Sequence, residues 1–115
     1  MPQFPFSQAL TANQKGYDPL ATWQYRYLPW RAHVRLFLRT TGAAGNVQAT
    51  VYSGSETIQQ RSPMQVGGTA GVTPSELNTQ PIEWVAGAGD VLLMQIDETA
   101  GATPTVDGLI IINPV

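Results

Sequence analysis

His33 is the single histidine of this 115-residue chain, and there is no cysteine. Nucleophilic catalysis needs a base, a nucleophile and an orienting group brought together in space. Serines and threonines are plentiful, but no Gly-x-Ser-x-Gly elbow frames one of them. A zinc centre takes at least three protein ligands, chiefly Cys and His, and one His without Cys cannot supply them. Asp97, Glu98 and Asp107 flank one turn and could surround Ca²⁺, which accepts oxygen ligands in flexible geometry. No Asp-x-Asp-x-Asp-Gly loop supports that, and turn capping is the ordinary work of Asp in such places. No pair of carboxylates is singled out for glycoside hydrolysis. The run Gly67-Gly68-Thr69-Ala70-Gly71 lacks the lysine and the strand–helix setting of a phosphate loop. The expectation is a non-enzymatic protein with no cofactor and no metal.

Two constellations remain. On a strand, Arg31, His33, Arg35 and Arg39 project from one face with Phe37 among them. Such a stripe could track phosphates, or it could be an interface face set against carboxylates of neighbouring strands, such as Glu83. The net charge of −2 and a pI near 5.1 argue against nucleic acid and anionic membrane as partners. Five of the six basic residues are Arg, the cation that interfaces enrich. The second constellation is Trp23, Tyr25 and Tyr27 in strict alternation, with Trp30 beside them. It reads as a core or interface face, the places where large aromatics dominate, with a sugar-stacking platform as the alternative.

The elements that must position these groups are short and β-rich. Residues 1–22 hold prolines and aromatics without a sustained period and predict an extended arm; residues 23–115 predict the folded domain. In that domain 23–27, 34–39, 47–52, 56–61, 81–85, 90–97 and 105–113 read as strands, with 64–66 a further candidate. The strand at 34–39 is expected to form a hairpin with that at 47–52. Residues 62–80 are rich in Gly and Pro and predict a long loop, with one helical turn at 74–77. An all-β domain follows, a single antiparallel β-sandwich or jelly roll of seven to eight strands. The rival over residues 31–39 is an amphipathic helix, which Leu36-Phe37-Leu38 and the alternating Val34, Leu36, Leu38 disfavour.

Only 12% of the residues are charged while 43% are apolar; an ordinary soluble domain carries roughly a quarter charged. The strands at 91–96 and 105–113 are apolar on both faces, so a second face must also leave water. The N-terminal arm is its natural cover, from this chain or from a neighbour. Apolar runs such as 109–112 are far short of the ~18 residues that cross a bilayer. The first six residues lack the basic and apolar regions of a secretory signal, so cytosolic synthesis is expected.

A small, cysteine-free, low-charge β-sandwich with a Pro-rich arm, Gly/Ala/Thr turns and an apolar last strand resembles the virion proteins of bacteriophages. The likeness is to small jelly-roll capsid, decoration (cement) or spike subunits, and it rests on strand layout rather than on a motif, so no functional residue is carried over. It implies a homo-oligomer, often a trimer, that docks on other capsid subunits and resides in the virion. At this length an accessory or minor capsid role is expected. The expected interface residues are Phe4, Phe6, Trp23, Tyr25, Tyr27 and Trp30 as anchors, with Arg31, Arg35 and Arg39 as polar fasteners. Removing residues 1–20 is then expected to weaken assembly and leave the sandwich folded. The competing expectation is a carbohydrate-binding module that stacks sugars on Trp23 and Tyr25.

Overall fold

Alternation of apolar and polar residues sets the architecture. In the computed structural model, which describes residues 3–21, 23–42, 45–67, 73–74 and 79–114, seven strands form. They are β1 (Gln3–Ala9), β2 (Ala32–Thr40), β3 (Val47–Ser53), β4 (Glu56–Pro63), β5 (Ile82–Ala86), β6 (Leu92–Glu98) and β7 (Thr105–Pro114). They make two antiparallel sheets, one of four strands in the order β1-β7-β2-β5 and one of three in the order β4-β3-β6. The molecule is all-β and sandwich-like. Among the described residues the only helical element is a single 3-10 turn, Gln24–Arg26.

The core is the seam between the sheets. Val34, Leu36 and Leu38 of β2 and Val106, Ile110 and Ile112 of β7 meet Val47, Ala49 and Val51 of β3 and Leu92, Met94 and Ile96 of β6. All are buried. Each large member contributes about 1.5–3 kcal/mol by leaving water. The register fixes the parity: Val34 stands opposite Ile112 and Trp84, and Ala49 opposite Ile96.

Several expectations change here. Residues 34–39 and 47–52 do not form a hairpin, because β2 pairs with β7 and β5 while β3 pairs with β4 and β6. The link between them carries the chain across the ~10 Å gap between the sheets. The hairpin is instead β3–β4, turned at Gly54 with φ +60. Residues 23–27 are not a strand. Asp18 Oδ1 accepts the Leu20 N–H, the Trp23 N–H reaches Leu20 O, and the Arg26 N–H reaches Trp23 O. These local bonds wind the segment into turns, and side chains that bond nearby backbone compete with strand pairing in this way. Residues 64–66 supply only an isolated parallel bridge, Thr40 to Val66. Of the helical turn expected at 74–77, residues 75–77 lie outside the described residues.

The stretch read as an extended arm is built into the sheet. Residues 3–9 pair with β7 along the whole of β1, from Gln3 opposite Ile111 to Ala9 opposite Thr105. Residues 14–17 and 27–28 then pair along β6 and the residues just before it: Tyr17 exchanges two backbone bonds with Ile96, Tyr27 bridges Val91, and the Leu28 N–H reaches Asp90 O. Leu10, Leu20 and Leu28 are 2% exposed and belong to the core. The radius of gyration, 13.4 Å, is that of a compact globule of this length, about 13 Å. The accessible surface of 5786 Å² likewise falls near the roughly 6,100 Å² expected of a folded 12.4 kDa monomer. The N-terminal segment therefore closes one side of its own sandwich.

Candidate functional site: an aromatic row and a paired basic stripe

Phe4 and Phe6 occupy even positions of β1, opposite Ile110 and Gly108. That parity turns both rings toward the core side of the sheet edge. The bond from the Trp23 N–H to Leu20 O and the 3-10 turn at Gln24–Arg26 bring Trp23 and Tyr25 against them. Phe4 stacks on Trp23 with centroids 5.2 Å apart and planes 14° from parallel. Tyr25 meets Trp23 edge-on at 5.7 Å and stacks on Trp30 at 6.1 Å. Phe4 and Phe6 lie 6.1 Å apart. Five rings thus run in one row along the side of the sandwich where β1 and β6 end their sheets. All five are half-buried and pack on the core.

Tyr27, expected on the same face, is not in the row. It is 62% exposed, and the Arg26 guanidinium sits 5.7 Å from its ring centre. A sugar-binding platform offers ring faces to solvent. Here Trp23 gives a face to Phe4 and meets the edge of Tyr25, and Tyr25 gives a face to Trp30. The row is arranged as packing between rings, each pair worth about 0.5–1.5 kcal/mol beyond its buried area.

The basic stripe lies on the outer face of the four-stranded sheet, and this chain supplies a counter-charge to its middle members, His33 and Arg35. Glu83 of β5 stands opposite Arg35 in register. Its Oε1 is 2.9 Å from Arg35 Nε and 3.7 Å from His33 Nε2. Arg35 also covers the Phe37 ring at 5.4 Å, which helps to bury Phe37 to 1% on the face away from the core. Arg39 donates to Thr79 Oγ1 and Val66 O, and stands opposite Asp107. It thereby fastens both described ends of the link between β4 and β5. Arg31 is exposed. The sequence named Glu83 as a carboxylate to face the stripe, and the register sets it opposite Arg35.

The three acids near the last turn separate. Asp97 and Glu98 alternate to opposite faces of β6, and Asp107 is on β7 in the other sheet. Among the described residues no three His, Cys, Asp or Glu side chains gather as a metal site.

One arrangement escaped the sequence. Glu98 is fully buried and lies on the inward parity of Leu92, Met94 and Ile96. Its Oε1 accepts N–H bonds from Asn13, Ala100 and Gly101 at 3.2, 3.0 and 2.7 Å. Burial pushes this carboxyl up, but the N–H groups of Ala100, Asn13, Gly101 and Ala102 together hold it below the usual range. Next to it Asp97 Oδ1 accepts the Gly16 N–H at 2.8 Å, and Lys15 Nζ donates to the Glu98 carbonyl. Two adjacent carboxylates thus fasten the crossover from β1 to β6. The clue available was the parity of 92, 94, 96 and 98, which continues inward to an acid.

Asp18 shifts the other way. Burial raises its carboxyl, against the Leu20 N–H, the Arg26 guanidinium 3.7 Å away and the Met94 N–H. Burial, then the Asp18 charge, raises Tyr17 as well. On the opposite side of the sandwich a cleft of about 90 Å³ opens between Leu38, Ala49, Met64 and Ile82, rimmed by Gln59, Gln65 and Gln80. That is well below the roughly 300 Å³ at which small-molecule pockets begin.

Compared with known proteins, the chain matches no family model, no curated protein and no solved structure.

Proposed function

We propose that this chain is a non-enzymatic structural subunit of a bacteriophage particle, a self-associating minor capsid or capsid-decoration protein with a jelly-roll fold. The observation that carries the proposal is the order of its chain segments. When the bridged stretch 14–28 is counted beside the seven strands, there are eight segments, and the pairs are first with eighth, second with seventh, third with sixth and fourth with fifth. Those pairs are β1 with β7, 14–28 with β6, β2 with β5, and β3 with β4. Such an order supports the reading of a long antiparallel hairpin wrapped into a jelly roll, the plan on which viral capsid and lectin domains are built.

Three further features support a structural role. Charge is scarce, Arg35 and Arg39 of the basic stripe are engaged within the chain, and the aromatic row and the outer apolar residues Leu93, Leu109 and Ile111 are half-buried rather than fully solvated. Val85 adds an exposed apolar side chain, at 53%, beside the Arg35–Glu83 pair. Apolar side chains with a charge pair at their border suit an interface between subunits. A lectin-like sugar site at Trp23 and Tyr25 draws less support, since those rings are occupied with one another.

Sedimentation of the purified chain over a concentration series, with negative-stain microscopy of what sediments, tests the proposal. Closed assemblies of uniform size are expected. Monodisperse single chains at every concentration would count against it.

A further inference from the structure

We infer that Pro5 guards the outer edge of β1, so that a second copy of this chain cannot extend the four-stranded sheet by strand addition. The inference stands apart from the capsid proposal, because it compares a variant with its parent whatever the parent's assembly state.

Hydrogen-bond parity places Pro5 on that free edge. In an antiparallel pair, residues alternate between those that bond the partner strand and those whose N–H and C=O point away. The Leu10 N–H donates to Pro104 O at 2.8 Å, one step beyond the Ala9–Thr105 pair. Counting back by twos, Gln8, Phe6 and Phe4 bond β7. Gln3, Pro5, Ser7 and Ala9 direct their backbone groups to the open side, where β1 ends the sheet. All four are exposed.

Pro5 has no N–H, so the missing donor falls in the middle of the free edge and costs the ladder with β7 nothing. One residue earlier or later, the same proline would remove a bond to β7. Beside it, Gln8 Nε2 donates to Ala9 O at 3.1 Å and occupies one of the outward carbonyls.

The other edges are closed by different means. Gln14 and Tyr17 bond the free side of β6 at Glu98 and Ile96, and Leu28 bonds Asp90 just before it. The pairing of β4 with β3 carries two register shifts, which bend its outer side. β5 has five residues, one of them Glu83, and begins directly after Pro81. Short, charged, bulged and proline-bearing edges are the known defences against sheet-to-sheet association. Copies that associate must therefore meet through faces, where Leu109, Ile111 and Val85 lie, and not through β1.

The test is Pro5→Val, read by light scattering beside the parent protein over a tenfold concentration range. The variant is expected to at least double its mass relative to the parent at high concentration. Adding Ser7→Pro to Pro5→Val is expected to restore the parent's mass, because residue 7 shares the outward parity. A Pro5→Val protein that keeps the parent's circular dichroism and the parent's mass throughout would overturn the inference. The parity has its own readout: Ser7→Pro alone should keep the parent's Tm, whereas Gln8→Pro should lower it markedly. Equal losses from the two would overturn the inference as well.

Discussion

The ring of Phe6 occupies the space that a β-carbon on Gly108 would need, lying closer to that position than carbon atoms approach one another. The two residues stand opposite each other in the β1–β7 ladder. A glycine in the middle of an otherwise apolar strand often marks such a close approach. Gly108 is the socket through which the N-terminal strand is seated.

Gly108→Ala should therefore displace the Phe6 ring and loosen β1. A cost of about 1–3 kcal/mol is expected, as for other overpacked sites, measured by urea unfolding. Phe6→Ala makes room for the new methyl, so Gly108→Ala should cost less in that background. Equal costs in both backgrounds would show that the socket does not hold the ring.

Glu98 should make stability depend on acid. Its carboxyl is held below its ordinary value in the folded state, so its contribution is present above the unfolded-state value and is lost as pH falls through the folded one. Asp18, which burial holds above its usual range, acts with the opposite sign and gains on protonation. Thermal unfolding between neutral pH and pH 3 should show a shallower acid fall for Glu98→Gln than for the parent, and a steeper one for Asp18→Asn. Parallel curves for Glu98→Gln and parent would contradict the role of the carboxylate at the crossover.

The aromatic row should act on stability. Trp23→Ala removes the ring between Phe4 and Tyr25, and about 2–4 kcal/mol should be lost, toward the low end of large-to-small aromatic changes because the ring is half-exposed. A glycan screen in which the monomer binds sugar and Trp23→Ala abolishes binding without loss of Tm would favour the lectin alternative.

Arg35 and Glu83 should couple weakly. Both are partly exposed, and such pairs contribute about 0–1 kcal/mol. A double-mutant cycle with Ala at each position checks this. Because Arg35 and Arg39 are engaged within the chain, double-stranded DNA should not be retained at 0.15 M salt; tight, salt-dependent retention would contradict that engagement.

Much of the fold was legible because alternation in Val34, Leu36 and Leu38 or in Val47, Ala49 and Val51 states directly which face is buried. What alternation cannot state is the partner strand. The link after Thr40 reads as a hairpin turn, yet it crosses to the other sheet, since β7 and β5 already flank β2. The Trp23-Gln24-Tyr25-Arg26-Tyr27 alternation misled for a related reason: Asp18 and Leu20 capture the backbone locally and turn the segment before it can pair. Glu83 was readable from charge as a carboxylate for the basic stripe, but its register opposite Arg35 was not. The seating of Phe6 on Gly108 and the bond from Asn13 to Glu98 were not, because they join residues 102 and 85 positions apart through a register that only the folded chain defines.

The N-terminal segment also changes one expectation. Removing residues 1–20 takes away β1 and the buried Leu10 and Leu20, so it should cost the stability of the sandwich itself and not assembly alone. Full-length variants are the proper probes of assembly.

The central claim is that this chain associates with copies of itself through its sheet faces. Light scattering of the purified full-length protein gives its mass in solution without reference to any ligand. The predicted result is a discrete multiple of 12.4 kDa, lowered when Leu109 and Ile111 are both replaced by Ser. A clean 12.4 kDa species at every concentration would contradict it.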